Sequence, residues 1–324
     1  MSNRKKTDDA PGNDTTLPVQ NSRRNFLKGL SIAAAACSAS LATGCLPTTA
    51  RAAESGEQFA LQWQEYFKKH YRLMTQKEKD ETVARLERQA KLQSGLDLQI
   101  STQAPRENVL YGYAFNITRC EGFMECVAAC IKENNLDRKA KTQYIRVFEM
   151  EPGQLDPGTG DGKYFHEVPV DNKFYMAVQC FHCEKAPCIK ACPTKATWRE
   201  PDGIVVVDYD WCIGCRYCQA ACPYFGRRFN WAKPSIPKEE INRKQHYLGN
   251  RIRPMGKMEK CTFCIQRTRE GKLPACVEAC PTGSRVFGNL LDPESEIRFV
   301  LKNKKVFRMK EDLGTDPKFW YFID

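Results

Sequence analysis

Cys212-Ile-Gly-Cys215-Arg-Tyr-Cys218-Gln-Ala-Ala-Cys222-Pro223 is the stretch that decides the reading of this chain. Three cysteines fall at intervals of three, a spacing for one tight loop. The fourth comes four residues later, a step that suits one helical turn, and the proline behind it ends or redirects that turn. Three further groups carry variants of the pattern. One reads Cys180-Phe-His-Cys183, four residues, then Cys188-Ile-Lys-Ala-Cys192-Pro193. Another reads Cys261-Thr-Phe-Cys264, eleven residues, then Cys276-Val-Glu-Ala-Cys280-Pro281. The earliest is Cys120-Glu-Gly-Phe-Met-Glu-Cys126-Val-Ala-Ala-Cys130, with Phe123 where the pattern places a cysteine. Fifteen of the 17 cysteines lie in these groups.

The C-x2-C-x2-C-x3-C-P run is the bacterial ferredoxin signature, in which three thiolates hold one iron–sulfur cluster and the fourth reaches a neighbouring one. The expectation is a protein that moves single electrons along a row of clusters. Disulfides are the ordinary use of cysteine in an exported protein, but an odd count packed this tightly does not suit a full set of bridges. Zinc ribbons use C-x2-C pairs, yet do not need four such sets ending in Cys-Pro. His182 sits between two candidate ligands. With enough cysteines present, it reads as a hydrogen-bond donor near a cluster rather than a ligand. His70, His166 and His246 have no ligand spacing and read as surface residues. Phe123 cannot bind iron, so one cluster lacks a thiolate.

The formal charge is +11. A basic balance often signals nucleic acid or anionic membrane. Here thiolate-bound clusters bring negative charge that the count omits. Lys132, Lys190, Lys195, Arg216, Arg227, Arg228 and Lys260 lie close in sequence to the cysteines, placed to offset cluster charge or meet a partner. Nucleic acid is not an expected partner. No nucleophile elbow, zinc-protease motif or dinucleotide fingerprint is present, and Gly158-Thr-Gly-Asp-Gly-Lys163 has the wrong spacing for a P-loop.

Residues 22–28, Ser-Arg-Arg-Asn-Phe-Leu-Lys, precede an alanine-rich apolar stretch from Gly29 to about Ala42. This matches a twin-arginine export signal, and the run is too short and weakly apolar for a permanent span. Ala50-Arg51-Ala52 places cleavage after Ala52; Leu41-Ala-Thr-Gly-Cys45 is the rival, a lipid anchor at Cys45. Either way Cys37 and Cys45 stay out of any cluster. The expected location is the periplasmic side of the inner membrane.

The division expected is a signal over 1–52, a helical arm and linker over 53–108, and a cluster domain over 109–324. In the arm, Phe59, Leu61, Trp63, Tyr66, Phe67, Tyr71, Leu73 and Met74 form a broad apolar stripe, and Thr75 with Glu78 forms a capping box for a helix reaching about Gln93. Strands are expected at 113–117, 143–150, 164–170 and 173–179. A hairpin runs from Thr197–Glu200 through Pro201-Asp-Gly203 to Ile204–Tyr209. Strand, cysteine loop and short helix thus recur. The fold class is α+β, with two nested ferredoxin-like modules, 173–235 inside 109–150 plus 255–290, four cluster-binding loops and the N-terminal arm.

With all four groups in view, residues 109–324 resemble the four-cluster ferredoxin-like iron–sulfur (beta) subunits of complex iron–sulfur molybdoenzymes, of the dimethyl sulfoxide, polysulfide and tetrathionate reductase type. They are also similar to the exported iron–sulfur subunits of hydrogenase and nitrite reductase systems. Lys260-Cys-Thr-Phe-Cys264, Pro274-Ala-Cys-Val-Glu-Ala-Cys-Pro281 and the tail Phe307-Arg-Met-Lys-Glu-Asp-Leu-Gly-Thr carry the resemblance. It implies three 4Fe–4S clusters: one on Cys180, Cys183, Cys188 and Cys222, one on Cys212, Cys215, Cys218 and Cys192, and one on Cys261, Cys264, Cys276 and Cys130. Cys120, Cys126 and Cys280 remain for a fourth, a 3Fe–4S cluster or an incomplete 4Fe–4S one in which Glu121, Glu125 or water binds the last iron. The resemblance also implies partners: a catalytic subunit containing molybdopterin, and a membrane quinone protein or multihaem cytochrome. Two other readings are direct oxidoreductase activity at the open cluster and a structural zinc module. Terminal substrate, electron direction and potentials are not in the sequence.

Overall fold

The computed structural model describes residues 72–324 together with Gln62. The twin-arginine stretch, both candidate processing sites, His70 and the apolar stripe up to Tyr71 lie outside the described residues.

The first element is helix α1, Gln76–Ser94. Its start is the capping box expected at Thr75: the Thr75 hydroxyl accepts from the Glu78 N–H, and the Glu78 carboxylate accepts from the Thr75 N–H at 2.8 Å. Gly95 ends it in the left-handed region at φ 67°, the usual helix-stopping geometry. Strands β1 (Gln99–Ser101) and β2 (Tyr111–Asn116) follow, then helix α2 (Glu125–Glu133) inside the first cysteine group. Next come β3 (Arg146–Met150) and β4 (Phe174–Val178), and the one-turn helix α3 (Pro187–Lys190) of the second group. The expected hairpin is present as β5 (Thr197–Arg199) and β6 (Val205–Val207), antiparallel, with Thr197 opposite Val207. Helix α4 (Tyr217–Ala220) belongs to the third group and leads to β7 (Arg227–Phe229), β8 (Lys244–His246) and β9 (Met258–Lys260). The fourth group holds two one-turn helices, α5 (Ile265–Thr268) and α6 (Ala275–Glu278). The chain closes through β10 (Arg285–Asn289), α7 (Glu296–Asn303), β11 (Lys305–Phe307) and β12 (Phe319–Ile323).

The main sheet has the order β10-β2-β12-β11, with β2 antiparallel to β10 and parallel to β12. All six residues of β2 are buried, as befits a central strand covered on both faces. Tyr111, Tyr113 and Phe115 point to the cysteine side, while Ala114 packs with Ile297 and Val300 of α7 on the other. Gly112 lets that helix approach: a Cβ there would meet Ile297 Cδ1 at 2.9 Å. Four two-stranded ladders, β1-β8, β3-β4, β5-β6 and β7-β9, frame the cysteine loops. No helix among the described residues is long and apolar enough to cross a membrane.

One expected strand is absent. Residues 164–170 form no ladder; β3 pairs with β4 instead, Val147 opposite Ala177. Pro169 has no N–H to give a sheet. Tyr164 is fixed differently, with its ring buried and its hydroxyl donating to the Gly122 carbonyl at 2.6 Å.

Aromatic rings fill the space between the main sheet and the cysteine loops. Tyr113 stacks on Phe319 at 5.0 Å between centroids and Phe319 on Phe181 at 4.7 Å. Phe319 is fully buried, so Phe319→Ala should cost about 3–5 kcal/mol of stability. An early loss of visible absorbance on heating, relative to the parent protein, measures it.

Candidate metal centres

Three of the four cysteine loops turn through the left-handed region just before a helical turn. Met124 (φ 58°), Arg216 (φ 65°) and Cys264 (φ 51°) stand immediately before α2, α4 and α5. Successive N–H groups in such a bend form a concavity for an anion. Gly214, at φ 74°, is required in the third loop, since a Cβ there would lie 2.1 Å from the Gly256 carbonyl oxygen. The first loop repeats this course: Gly122 has φ 81° and Met124 φ 58°, so Phe123 occupies the place that Cys215 holds between Gly214 and Arg216. The backbone of a ligand loop is kept and only the side chain differs. Phe123 is itself 43% exposed, at the rim.

All fifteen cysteines of the four groups are free thiols; eleven are buried, and Cys215 is exposed. Their electrostatic neighbours form overlapping groups. Cys183 is pushed up to about 12 by burial, then by Cys180, Cys188 and Cys222. Cys218 is pushed up to about 11 by burial, with Cys188, Cys192 and Cys212 adding to it. Burial drives Cys130 well up, and Cys264, Cys261 and Cys276 add to it. Cys120 goes up to about 11 through burial, with Cys126 and Cys280 as its thiol neighbours. Cys280 differs. Burial raises it, but hydrogen bonds from Thr282 and Ser284 and the charge of Arg285 outweigh that and hold it below an ordinary thiol.

Donors and cations surround these sulfurs. The Gly226 and Phe263 N–H groups donate to Cys222 and Cys261 Sγ, both at 3.4 Å. Arg227 Nη2 donates to Cys188 Sγ at 3.1 Å, and Arg285 Nη2 to Cys126 Sγ at 3.0 Å. Lys260, fully buried, donates to the Cys261 carbonyl. Buried Arg227 Nε and Nη1 have no hydrogen-bond partner among the protein atoms, and a buried donor without an acceptor is costly. Bends that form anion cradles, converging thiols and orphaned cationic donors fit an anionic, sulfide-rich group. No set of three or more His, Cys, Asp or Glu among the described residues is arranged for a metal ion. A zinc ion draws its thiolates to about 2.3 Å from itself, whereas a multi-iron cage spreads them.

His182 is buried and accepts from the Val205 N–H at its Nδ1, 2.9 Å away; it stacks on Phe263 with 3.7 Å between centroids. Burial drives its pKa well down, with Lys260 and Arg227 adding to this, so the ring is neutral. His166 is partly exposed and meets Glu149 at 2.7 Å. His246 is not a surface residue: it is 2% exposed and its Nε2 lies 3.0 Å from the Gln103 carbonyl and 3.3 Å from Arg269. Its place in a three-residue strand paired with β1 buries it, something its isolated position in the sequence could not reveal.

The eleven-residue insert of the fourth group is a clamp. Arg267 reaches Glu133 of α2 at 3.5 Å and also pairs with Glu278. Arg269, almost wholly buried, pairs with Asp202 at 3.2 Å and Glu200 at 3.1 Å in the β5–β6 turn. Removing one member of a buried pair strands the other, at about 3–5 kcal/mol. Arg269→Met should therefore lower the thermal midpoint of cluster loss, with Asp202→Asn in the same chain restoring part of it.

Sequence reasoning named Arg227 and Lys260 as cations near the cysteines but missed Arg285. The available signal was its place five residues after Cys280, matching Arg227 after Cys222.

The 4Fe–4S dicluster domain family matches residues 172–251 and 250–290. An iron–sulfur subunit of a dimethyl sulfoxide reductase from Halobacterium salinarum is 38% identical over 65% of this chain and 78% of its own length. The menaquinone reductase iron–sulfur cluster-binding subunit of Nitratidesulfovibrio vulgaris is 34% identical over 66% of this chain and 88% of its own. A polysulfide reductase component from Wolinella succinogenes is 35% identical over 64% and 91%. With cysteine loops of this geometry and relatives matched over most of their length, the chain belongs to the iron–sulfur subunits of dimethyl sulfoxide and polysulfide reductase-type complexes.

Proposed function

We propose that this chain is a periplasmic four-cluster relay, exported by its twin-arginine signal and bound to a molybdopterin-containing catalytic subunit on one side and a membrane quinone protein or cytochrome on the other. When bound, the clusters supply one-electron redox chemistry. The chain's own residues hold, space and bury them. The convergence of buried thiols on buried Arg227, Arg285 and Lys260 carries this reading. Cys180, Cys183, Cys188 and Cys222 would hold one 4Fe–4S cluster. Cys192, Cys212, Cys215 and Cys218 would hold a second, and Cys130, Cys261, Cys264 and Cys276 a third. Cys120, Cys126 and Cys280, beside Phe123, would hold a 3Fe–4S cluster. Helix α4 of the third group packs on α3 of the second, and α6 of the fourth packs on α2 of the first with β10 paired to β2, which supports two nested modules within 109–324.

A relay needs a cluster near the surface. The exposed Cys215 loop is ringed by exposed Trp211, Ile213, Tyr217, Trp231 and Met255, with Arg216 over the Trp231 ring at 4.7 Å. Exposed apolar groups gathered in one place mark docking surfaces, so this loop is proposed as the port to a redox partner. Tyr217→Asp should weaken assembly about tenfold or more, as loss of an interface aromatic does, with iron content unchanged. Co-purification with the partner subunits measures it.

Iron and acid-labile sulfide in anaerobically purified protein test the whole reading. Three four-iron cages and one three-iron cage leave iron one short of sulfide per chain. Protein lacking both would overturn it, and substrate turnover by the isolated chain would favour an enzyme at the open site instead.

A further inference from the structure

Two of the Cys-Pro steps are followed, five residues after the cysteine, by arginine: Arg227 after Cys222 and Arg285 after Cys280. Each opens a strand, β7 and β10, and each is buried, at 1% and 4% exposure. Their sulfur acceptors are also equivalent. Cys188 and Cys126 each stand four residues before the closing cysteine of their groups. The remaining hydrogen bonds go to neutral groups: Arg227 to the Thr197 hydroxyl at 2.8 Å, Arg285 to the Tyr113 hydroxyl at 3.0 Å and Gln179 Oε1 at 3.1 Å. No carboxylate is among them. A buried guanidinium without a carboxylate takes its counter-charge from the sulfur group beside it.

The other two thiol sets have no arginine at hydrogen-bond distance, although the charge of Arg227 also reaches Cys218 and that of Arg285 reaches Cys276, whose Sγ lies 3.4 Å from the Tyr113 hydroxyl. Cys130 and Cys264 face the neutral Asn134 amide at 3.5 and 3.7 Å, and Cys192 faces the Thr194 hydroxyl at 3.7 Å. Lys260 faces Cys180 and Cys261 but donates to a backbone carbonyl rather than to a sulfur.

We propose that Arg227 and Arg285 are potential-setting residues, each raising the reduction potential of the cluster whose sulfur it touches above that of the cluster next to it. The proposal rests on the cluster reading above. An added electron makes a cluster more negative. A fixed cation at hydrogen-bond distance in a low-dielectric interior stabilises that reduced state more than the oxidised one, and hydrogen bonds to sulfur act in the same direction. Arg227 acts on the cluster of Cys180, Cys183, Cys188 and Cys222, Arg285 on that of Cys120, Cys126 and Cys280.

The test is a redox titration of the complete, cluster-loaded protein, followed by electron paramagnetic resonance. Arg227→Gln should shift the reduction equilibrium of its own cluster toward the oxidised form about tenfold, equivalent to about 59 mV for one electron. Arg227→Lys, which keeps the charge, should shift it less, and Arg285→Gln should move the three-thiolate cluster most. Fully loaded Gln variants with every potential unchanged would overturn the proposal. Should a variant lose its cluster, the wild type decides: with 15N-labelled arginine, the reduced clusters should show coupling to a guanidinium nitrogen, and absence of that coupling overturns it. Iron-free wild type would instead sink the cluster reading itself.

Discussion

Phe123→Cys should add one iron per chain and abolish the paramagnetism of the oxidised protein at the fourth site. The backbone is already shaped for it: Gly122 and Met124 hold the left-handed angles that Gly214 and Arg216 hold on either side of Cys215. A thiolate at position 123 would face the set formed by Cys120, Cys126 and Cys280 without any change in loop course. The potential of that site should fall, since cluster type and charge are main controls on it. Phe123→Ala is the control; it removes the ring, supplies no ligand and should leave the iron-to-sulfide ratio alone. A cysteine variant with the parent's iron content and spectrum would mean that the fourth cluster is not bound at this loop.

Removing iron should cost the tertiary structure, not merely the colour. Eleven of the fifteen thiols are buried, and burial, with neighbouring thiols adding to it, drives Cys130 and Cys261 well above an ordinary thiol. Without metal these sites become neutral sulfurs facing buried Arg227, Arg285 and Lys260, which then lack counter-charge. Binding free energy in such a protein is folding free energy. Anaerobic chelation should therefore collapse amide-exchange protection in β7, β9 and β10, while α1, whose stop and start are local caps, should lose less. Protection unchanged in the stripped protein would show that the chain folds on its own packing.

What the sequence disclosed and what it withheld have a common physical cause. Local chemistry was legible. Thr75 with Glu78 declared the start of α1, Pro201-Asp-Gly203 declared the β5–β6 turn, and the Cys-x3-Cys-Pro steps declared the one-turn helices. Pairings across long stretches were not. A run of aromatic and β-branched residues at 164–170 looks like a strand, but nothing in it states that β3 will choose β4. His246 has no local mark of burial, because its cover comes from Gln103 and Arg269, both far away in the chain. Arg285 was hidden for a different reason. A single arginine after a Cys-Pro step is unremarkable until it is compared with Arg227 and both are found against sulfur. The departure at Phe123, by contrast, was visible at once, since it breaks a pattern stated three times elsewhere.

The central place of β2 has a consequence for biogenesis. Tyr111 lies opposite Asn289, and Tyr113 opposite Phe319, so the first long strand has no sheet partner until β10 has been made, about 170 residues later, and its second partner comes only with β12. Closing so long a loop is slow compared with forming the neighbouring hairpin of β5 and β6. During synthesis, cysteines 180–222 can gather while still close in the chain, whereas under the proposed ligand sets Cys120 and Cys126 must wait for Cys280. The outer pair of sites would thus be the last to receive iron, and a cell short of it should accumulate molecules filled from the middle outward.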